Sequence, residues 1–264
     1  MQLPNIDPVF LKLGPLEFRW YGLMYIIGFA CAWFIIRKRS DRRGVQLSAE
    51  LLSDIVFFIA MGIVLGGRMG YILFYNLSWY IANPLKIFAV WEGGMSFHGG
   101  MIGGALAGIY IFRKQSLDLW QMADIIAPAI PVGLFLGRIG NFINGELFGR
   151  ATDKPWGVIF PTGGMIPRHP SQLYEAFSEG ILLFAVTVLV DRMKPPKGSS
   201  FWTVIAGYGL CRFVVEFFRE PDQHIGFLWM GATMGQLLSL PMLILGCVMI
   251  VTGYVKRGKA TREV

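Results

Sequence analysis

The sequence predicts an all-α integral membrane protein with seven transmembrane helices. Apolar residues make up 54% of its 264 positions, and only 16% are charged, against about 25% in soluble domains. Seven apolar runs approach the roughly 20 residues that a helix needs to cross a bilayer. They lie near residues 20–37, 51–75, 95–112, 121–143, 173–190, 201–219 and 231–254.

Basic residues cluster in alternate connectors between these runs. The clusters lie at residues 37–43, 113–114, 192–197 and 256–262. Because short cytoplasmic loops carry an excess of Lys and Arg, the C-terminus is predicted to be cytoplasmic and the N-terminus outside. This distribution accounts for the net charge of +7 without a nucleic-acid partner.

The chain is predicted to form one polytopic domain over residues 1–264, because no polar linker divides it. The first 18 residues lack a basic leader and a cleavage pattern, so no signal peptide is expected. Residues 76–94 are aromatic with Pro and Gly, which favours a segment in the membrane interface over a further crossing. Residues 144–172 are long enough for a small external cap.

Polar residues inside the apolar runs all fall near the outer ends of those runs. They are Tyr21, Arg68, His98, Arg138, Asn141, Asn144 and Glu146. Run six adds four residues that a continuous helix would place within about 80° of one another. These are Tyr208, Arg212, Glu216 and Arg219. The pattern predicts a polar site that opens toward the outer leaflet.

Arginines outnumber carboxylates in this set. Arg68, Arg138, Arg212 and Arg219 stand against Glu146 and Glu216. Each arginine at bilayer depth costs about 2.5–3.5 kcal/mol without a partner. Internal pairs alone would make the cluster purely structural, but the positive surplus favours a bound anion. Arginine suits phosphate because its planar fork donates two hydrogen bonds at once, so a phospholipid headgroup is expected.

The same residues carry a resemblance to a known family. "GRIGNFINGELFG", residues 137–149, resembles the pattern G-R-x-G-N-F-apolar-N-x-E-x-x-G of bacterial prolipoprotein diacylglyceryl transferases. Five further blocks are similar to that family's blocks in the same order. They are "WYGLMY" (20–25), "GGRMGYILFYN" (66–76), "GGMSFHGG" (93–100), "RHPSQLYE" (168–175) and "GYGLCRFVVEFFREPD" (207–222).

The resemblance implies a transferase of the bacterial inner membrane. Such an enzyme moves the diacylglyceryl group of phosphatidylglycerol to the lipobox cysteine thiol of a prolipoprotein, which forms a thioether and releases glycerol phosphate. The implied partners are this lipid, the precursor's signal peptide and the bilayer. No cofactor, metal, nucleotide or nucleic acid is expected.

This chemistry needs a thiolate and a stabilised leaving phosphate. His98 is the expected base, although a histidine hydrogen-bonded at a helix start is the alternative, and Tyr21 is expected to position the donor lipid. Arg138 and Arg212 are expected to bind the phosphate, with a further hydrogen bond from Asn141.

The remaining site residues have supporting roles in this prediction. Gly149 would allow close backbone approach, and Glu146 and Glu216 would orient the arginines. Arg68 and Arg219 would bind lipid, act as a gate or form a structural pair. The other expected lipid-binding residues are Asn144 and Tyr208.

An outward-facing protein that binds or transports anions or phospholipid headgroups is the alternative function. Transporters often contain inverted repeats, whereas "GRMGYILFYN" and "GRIGNFINGE" lie in runs that cross in the same direction. A serine hydrolase is disfavoured because "GMSFHGG" lacks the Gly-x-Ser-x-Gly spacing. Cys31, Cys211 and Cys247 lie in apolar runs without ligand spacing and are expected to be core thiols.

Overall fold

The computed structural model describes residues 2–4, 6–14, 16–90, 93–221, 227–228 and 231–260. The helices are α1 (Trp20–Arg42), α2 (Ala49–Tyr75), α3 (Leu77–Ala82), α4 (Phe97–Lys114), α5 (Leu119–Ile126), α6 (Ala129–Ile143), α7 (Ser171–Glu175), α8 (Leu183–Arg192), α9 (Ser199–Val215) and α10 (Met234–Ala260). A π-helical segment, Ala176–Leu182, joins α7 to α8, and 3-10 helices lie at Pro84–Phe88 and Pro161–Gly163. Each predicted apolar run therefore coincides with a helix or a broken helix.

Four of the described helices are long and apolar enough to cross a membrane: α1, α2, α10 and the continuous helix over residues 171–192. A fifth span arises if α5 and α6, which are bent by 41°, cross together. Helix α9 is apolar, but with 17 residues it is shorter than these candidate spans. Helix α4, which is glycine-rich and has a basic last turn, is not among the candidate spans. The fold is that of a multi-pass helical membrane protein, and seven crossings stay a prediction.

A β-hairpin precedes α1, and the all-α prediction missed it. Strand β1 (Val9–Leu13) pairs antiparallel with β2 (Leu16–Arg19), with Leu11 opposite Phe18 and Lys12 opposite Glu17. The signal was present in the sequence, because apolar and polar residues alternate on either side of a Gly-Pro dipeptide.

Two compact units make up the chain: Met1–Ile35 with Ala123–Val264, and Ile36–Met122. In the second unit, α2 and α4 pack through glycines. A Cβ added to Gly103 would lie 2.8 Å from the Cα of Gly66, and one added to Gly70 would lie 2.8 Å from the Cα of Gly99. These two helices are therefore in backbone contact, as in small-xxx-small packing of membrane helices.

The larger unit packs the 171–192 helix, α6, α9 and α10 together. Asp124, fully buried, accepts hydrogen bonds from the amides of Gly198 (2.8 Å) and Phe201 (3.1 Å) and so caps the start of α9. Helix α10 approaches α9 closely, since a Cβ on Gly246 would lie 2.7 Å from the Cβ of Ala206. The position of α9 is therefore determined at its start by a buried carboxylate and along its length by close packing.

The predicted cap region has a small apolar core. Buried Leu3, Val158 and Phe160 pack with Phe142 and Phe148. Two segments of this region are joined by main-chain hydrogen bonds. The amide of residue 158 donates to the carbonyl of residue 168, and the amide of residue 168 donates to the carbonyl of residue 158. Helix α7 begins at Ser171, so the predicted region of residues 144–172 overlaps its first two residues.

Substitution of Gly103 by Ala tests the glycine contact. We expect the new methyl group to push α2 and α4 apart and to lower the free energy of unfolding by about 1–3 kcal/mol. Thermal unfolding of the purified protein in detergent measures the change. Gly133→Ala is the matched control, because among the described residues no atom beyond the neighbouring residues and backbone of its own helix lies within 4 Å of the Cβ position at Gly133. A Gly103→Ala protein as stable as this control would contradict the proposed contact.

Candidate active site

A buried carboxylate forms the centre of the candidate site. The side chain of Glu175, at the end of α7, is 0% exposed. Its Oε2 lies 2.7 Å from Nε of Arg138, and its Oε1 lies 2.5 Å from Nη1 of Arg212 and 3.3 Å from Nη1 of Arg219. One carboxylate thus contacts three guanidinium groups.

Two more carboxylates complete the arrangement. Oε2 of Glu179 lies 3.2 Å from Nη2 of Arg138, and Oε2 of Glu216 lies 2.9 Å from Nη2 of Arg212. The ion-pair cluster, as we call it below, consists of Arg138, Glu175, Glu179, Arg212, Glu216 and Arg219. Its three positive and three negative groups balance when all are charged.

The prediction that arginines outnumber carboxylates at the site was therefore wrong for this cluster. The sequence prediction counted Glu146 and Glu216 but missed Glu175 and Glu179, which lie at the start of an apolar run. Their spacing of four residues was the available signal, because it places both side chains on one face of a helix. The contact of Glu216 with Arg212 agrees with the prediction that Glu216 orients an arginine.

The π-helical segment and a glycine bring the carboxylates to α6. A Cβ on Gly180 would lie 2.6 Å from the Cβ of Phe135, so this segment lies directly against α6. Arg138 follows Phe135 by three residues, which places it on the same side of α6. The close contact lets its guanidinium reach Glu175 and Glu179.

Only part of the polar stripe predicted along run six lies on a helix. Helix α9 ends at Val215, Glu216 is its C-cap residue, and Arg219 lies beyond the helix. Arg219 instead forms an isolated β-bridge with Gly149. The prediction of one continuous helix was wrong, but Arg219 still reaches the cluster through Glu175.

Gly149 allows close backbone approach, and the approaching chain is the protein's own. Its amide donates to the carbonyl of His169 at 2.8 Å. A Cβ at this position would lie 2.7 Å from the Cβ of His169 and would collide with the carbonyl of Phe218. The glycine thus lets three segments meet beside the cluster.

Glu146 does not orient an arginine in the contacts of the described residues, which contradicts its predicted role. Its Oε1 accepts hydrogen bonds from the amides of Asn141 (2.9 Å) and Asn144 (3.3 Å). Its carbonyl accepts a 2.7 Å bond from Nε2 of Gln172. Gln172 is fully buried, and the sequence prediction missed it. Asn141, Asn144 and Glu146 thus form an amide–carboxylate group at the end of α6.

Two tyrosines lie next to the charged groups. Tyr21 packs on α6, because a Cβ on Gly140 would lie 2.9 Å from the Tyr21 ring, and it interacts electrostatically with Glu146 and Arg138. Tyr208 packs beside the apolar core of the larger unit and interacts electrostatically with Glu179. The structure therefore places both predicted tyrosines near the charged and polar site residues.

A histidine outside the helices, His169, lies in the predicted cap region. Nδ1 of His169 is 3.1 Å from the hydroxyl of Tyr174, which accepts a 2.8 Å hydrogen bond from Nε1 of Trp156. Partial burial and the positive charge of Lys154 lower the pKa of His169. The imidazole is therefore neutral at neutral pH, and its Nδ1 can accept the tyrosine proton.

Arg68 lies in the smaller unit, and its contacts among the described residues are with main-chain carbonyls rather than with carboxylates. Its guanidinium donates to five main-chain carbonyls: those of Lys86 (2.6 Å), Ile87 (2.9 Å), Ala89 (3.0 Å), Gly93, and Gly94 (3.2 Å). A guanidinium has five N–H donors, so its capacity is filled. These contacts tie Arg68 to the connector after α3, and its predicted role in lipid binding stays a prediction.

His98 also belongs to the smaller unit. It is the second residue of α4, just after the N-cap Ser96, whose hydroxyl accepts from the amide of Gly99 at 3.3 Å. The side chain of His98 is exposed in the described structure. Its predicted role as a base stays a prediction.

These features define a multi-pass helical membrane protein with a buried arginine–glutamate cluster beside an amide-rich helix end. The sequence profile of the prolipoprotein diacylglyceryl transferases matches residues 8–252. The chain belongs to this family.

Three relatives carry the name phosphatidylglycerol–prolipoprotein diacylglyceryl transferase. The protein from Geobacter sulfurreducens is 61% identical over 251 residues, covering 95% of this chain and 96% of the relative. One from Nitratidesulfovibrio vulgaris is 49% identical, covering 98% of this chain and 99% of the relative. One from Pseudomonas paraeruginosa is 50% identical, covering 95% of both chains. The similarity therefore extends over nearly the whole chain.

Substitution of Glu175 by Gln tests the central ion pairs. Three guanidiniums would share a neutral amide, so we expect the free energy of unfolding to fall by about 3–5 kcal/mol. Denaturation of the purified protein in detergent measures this loss. Glu17→Gln is the control, because Glu17 is half-exposed and pairs only with exposed Lys12 and Arg19 in the described contacts. Equal stability of the two variants would contradict a structural role for Glu175.

Proposed function

We propose that this protein transfers the diacylglyceryl group of phosphatidylglycerol to the lipobox cysteine thiol of a prolipoprotein. The reaction forms a thioether and releases glycerol phosphate. The observation that carries this proposal is the similarity over nearly the full length to proteins named for this donor and this acceptor. The ion-pair cluster supplies the groups that a departing phosphate needs.

The two central arginines keep donors for a phosphate. In the contacts of the described residues, Arg138 uses Nε and Nη2, and Arg212 uses Nη1 and Nη2. Nη1 of Arg138 and Nε of Arg212 have no partner among those contacts. Both side chains are 14% exposed, whereas Glu175 is fully buried between them. Glu175 thus holds two guanidiniums at one place and leaves part of each for a ligand.

The chemistry is a displacement at carbon. The cysteine sulfur attacks the lipid carbon that carries the phosphate ester, the C–O bond breaks, and its electron pair stays on the phosphate oxygen. Arg138 and Arg212 stabilise that charge through charge-assisted hydrogen bonds. Asn141, held by Glu146 at 2.9 Å, lies at the end of α6 as a further donor after a small rotation.

Three more residues have assigned roles in this proposal. His98 removes the thiol proton, because a free thiol has a pKa near 8.5 and is mostly protonated at neutral pH. Tyr21 positions the donor lipid, since it packs on α6 beside Gly140. Gly149 keeps the chain close enough for Arg219 to reach Glu175.

We also propose that the chain crosses the bacterial inner membrane seven times in a defined orientation. Helices α1, α4, α8 and α10 all end in a basic turn, which favours cytoplasmic C-terminal ends for all four. The N-terminus and the cap at residues 144–172 are then periplasmic. The ion-pair cluster opens to the outer leaflet, where a secreted precursor and phosphatidylglycerol meet.

The test is a transfer assay with purified protein. Phosphatidylglycerol and a lipobox peptide are added, and mass spectrometry looks for peptide with added diacylglyceryl mass together with free glycerol phosphate. A matched peptide with Ser in place of the lipobox Cys is the control. Headgroup uptake into vesicles without lipidated peptide would instead support the alternative of anion or phospholipid-headgroup transport.

Substitution of Arg138 or Arg212 by Lys tests phosphate binding. Lysine keeps the charge but lacks the planar fork, so we expect transfer to fall by about a hundredfold while the protein still inserts in the membrane. Initial transfer rates and membrane fractionation measure the two effects. Arg192→Lys, at the exposed end of α8, is the control. Normal turnover in either cluster variant would remove that arginine from the mechanism.

Substitution of His98 by Gln tests proton abstraction from the thiol. Transfer should be impaired most at low pH and less as the pH approaches the pKa of the thiol, near 8.5, because the thiol then ionises without a base. Rates measured from pH 6 to pH 9 give this profile. A defect of constant size across the range would argue against a base.

A further inference from the structure

Glu179 is held more loosely than the other two carboxylates of the ion-pair cluster. Its Oε2 lies 3.2 Å from Nη2 and 3.3 Å from Nε of Arg138. Glu175 has contacts of 2.5 and 2.7 Å, and Glu216 has one of 2.9 Å. Because Coulomb attraction in a dry site strengthens as distance falls, the negative charge of Glu179 is the least stabilised of the three.

The second oxygen of Glu179 reinforces this difference. Oε1 of Glu179 has neither a hydrogen bond nor an ion-pair contact among the described residues, whereas Oε2 of Glu175 lies 2.7 Å and Oε2 of Glu216 lies 2.9 Å from a guanidinium nitrogen. The Glu179 side chain is 0% exposed. Burial of a charged carboxylate oxygen without a hydrogen-bond partner costs free energy. A protonated carboxyl group avoids the cost of the charge, because it is neutral and has an O–H to donate. Of the cluster's carboxylates, Glu179 therefore becomes neutral at the lowest cost.

The charged and titratable neighbours of Glu179 come from three elements. They are Arg138 on α6, Tyr208, Cys211 and Arg212 on α9, and Glu175 one turn earlier on its own helix. Arg150 donates to the carbonyl of Arg219, and Glu146 interacts with Tyr21. These two flanking residues add one charge of each sign, so the balance of the cluster is unchanged.

An anionic headgroup disturbs this balance. A phosphodiester adds one negative charge to three guanidiniums and three carboxylates, and no guanidinium remains to compensate it. Buried like charges disfavour one another's ionised form, so one carboxylate is expected to gain a proton as the anion enters. This step rests on the proposed function, which supplies the phosphodiester.

We propose that Glu179 takes up a proton when phosphatidylglycerol binds and donates it to the departing phosphate. The phosphodiester replaces Glu179 at Arg138, and the carboxylate accepts a proton from solvent. The cysteine thiolate then forms the C–S bond, and the C–O electron pair stays on the phosphate oxygen. The proton of Glu179 moves to that oxygen, so glycerol phosphate leaves as a monoanion and Glu179 pairs with Arg138 again.

Proton uptake on lipid binding tests this role directly. Full-length protein in nonionic detergent is mixed with phosphatidylglycerol micelles, without peptide, in a weakly buffered solution that contains a pH indicator. The wild-type protein should take up about one proton per bound lipid. Glu179→Gln should bind the lipid without uptake, because the amide is already neutral. Phosphatidylcholine micelles, whose headgroup has no net charge, should cause no uptake.

The transfer assay adds a second readout. With peptide present, Glu179→Gln should turn over about a hundredfold more slowly, since it has no proton to give. Glu179→Asp keeps a carboxyl group and should keep the proton uptake. Glu17→Gln removes an exposed carboxylate and should match the wild-type protein in both measurements.

The outcomes separate this inference from the proposed function. Uptake that persists in Glu179→Gln, or lipid binding without uptake in the wild-type protein, would overturn the role of Glu179 while transfer by the wild-type protein still supports the function. A wild-type protein that makes no lipidated peptide would contradict the function itself. If Glu179→Gln does not fold, uptake by folded Glu179→Asp supports the role, and its absence overturns it.

Discussion

The carboxylate of Glu175 is the contact on which the candidate site depends. It meets guanidiniums from α6, from α9 and from the turn after α9, at 2.5 to 3.3 Å. Its complete burial removes the screening that weakens such pairs at a surface. An arginine in the bilayer needs a partner, and three arginines find one in the same residue. The positions of α6, α9 and the 171–192 helix in the larger unit are thereby linked through one side chain.

The smaller unit satisfies the hydrogen bonds of its buried arginine in another way. Arg68 is 3% exposed and is surrounded by carbonyl oxygens of the connector after α3, with the ring of Tyr80 5.1 Å from its Cζ. Carbonyl dipoles satisfy its hydrogen bonds without adding a negative charge. The result is a folded connector built around a cation. In the larger unit, the cations are paired with carboxylates and keep donors free for a ligand.

The lengths of the apolar runs predicted the positions of the helices well. A helix that crosses a bilayer needs a minimum number of apolar residues, and these can be counted in the sequence. The motif around Arg138 predicted the end of α6 and its amides. Glu175 and Glu179 were missed because a carboxylate at the margin of an apolar run resembles an interruption until its partners are known. The partners of Arg68 are main-chain carbonyls, which every residue carries, so no sequence pattern distinguishes them. The hairpin before α1 was not predicted because its two strands have only five and four residues, too few for their alternation to stand out beside the long apolar runs.

The 171–192 helix contains a π-helical segment at residues 176–182. Its geometry therefore depends on the number of residues in that segment as well as on their side chains. A π turn holds an extra residue relative to an α turn and persists where something else stabilises it. Loss of a single residue there would rotate all of α8 by about 100° relative to α7. The outward-facing side of α8 would then turn inward, even where the deleted residue is not Glu179 and every charged group of the site is still encoded. In this stretch, an in-frame deletion is consequently a more severe genetic event than most exchanges of one amino acid for another.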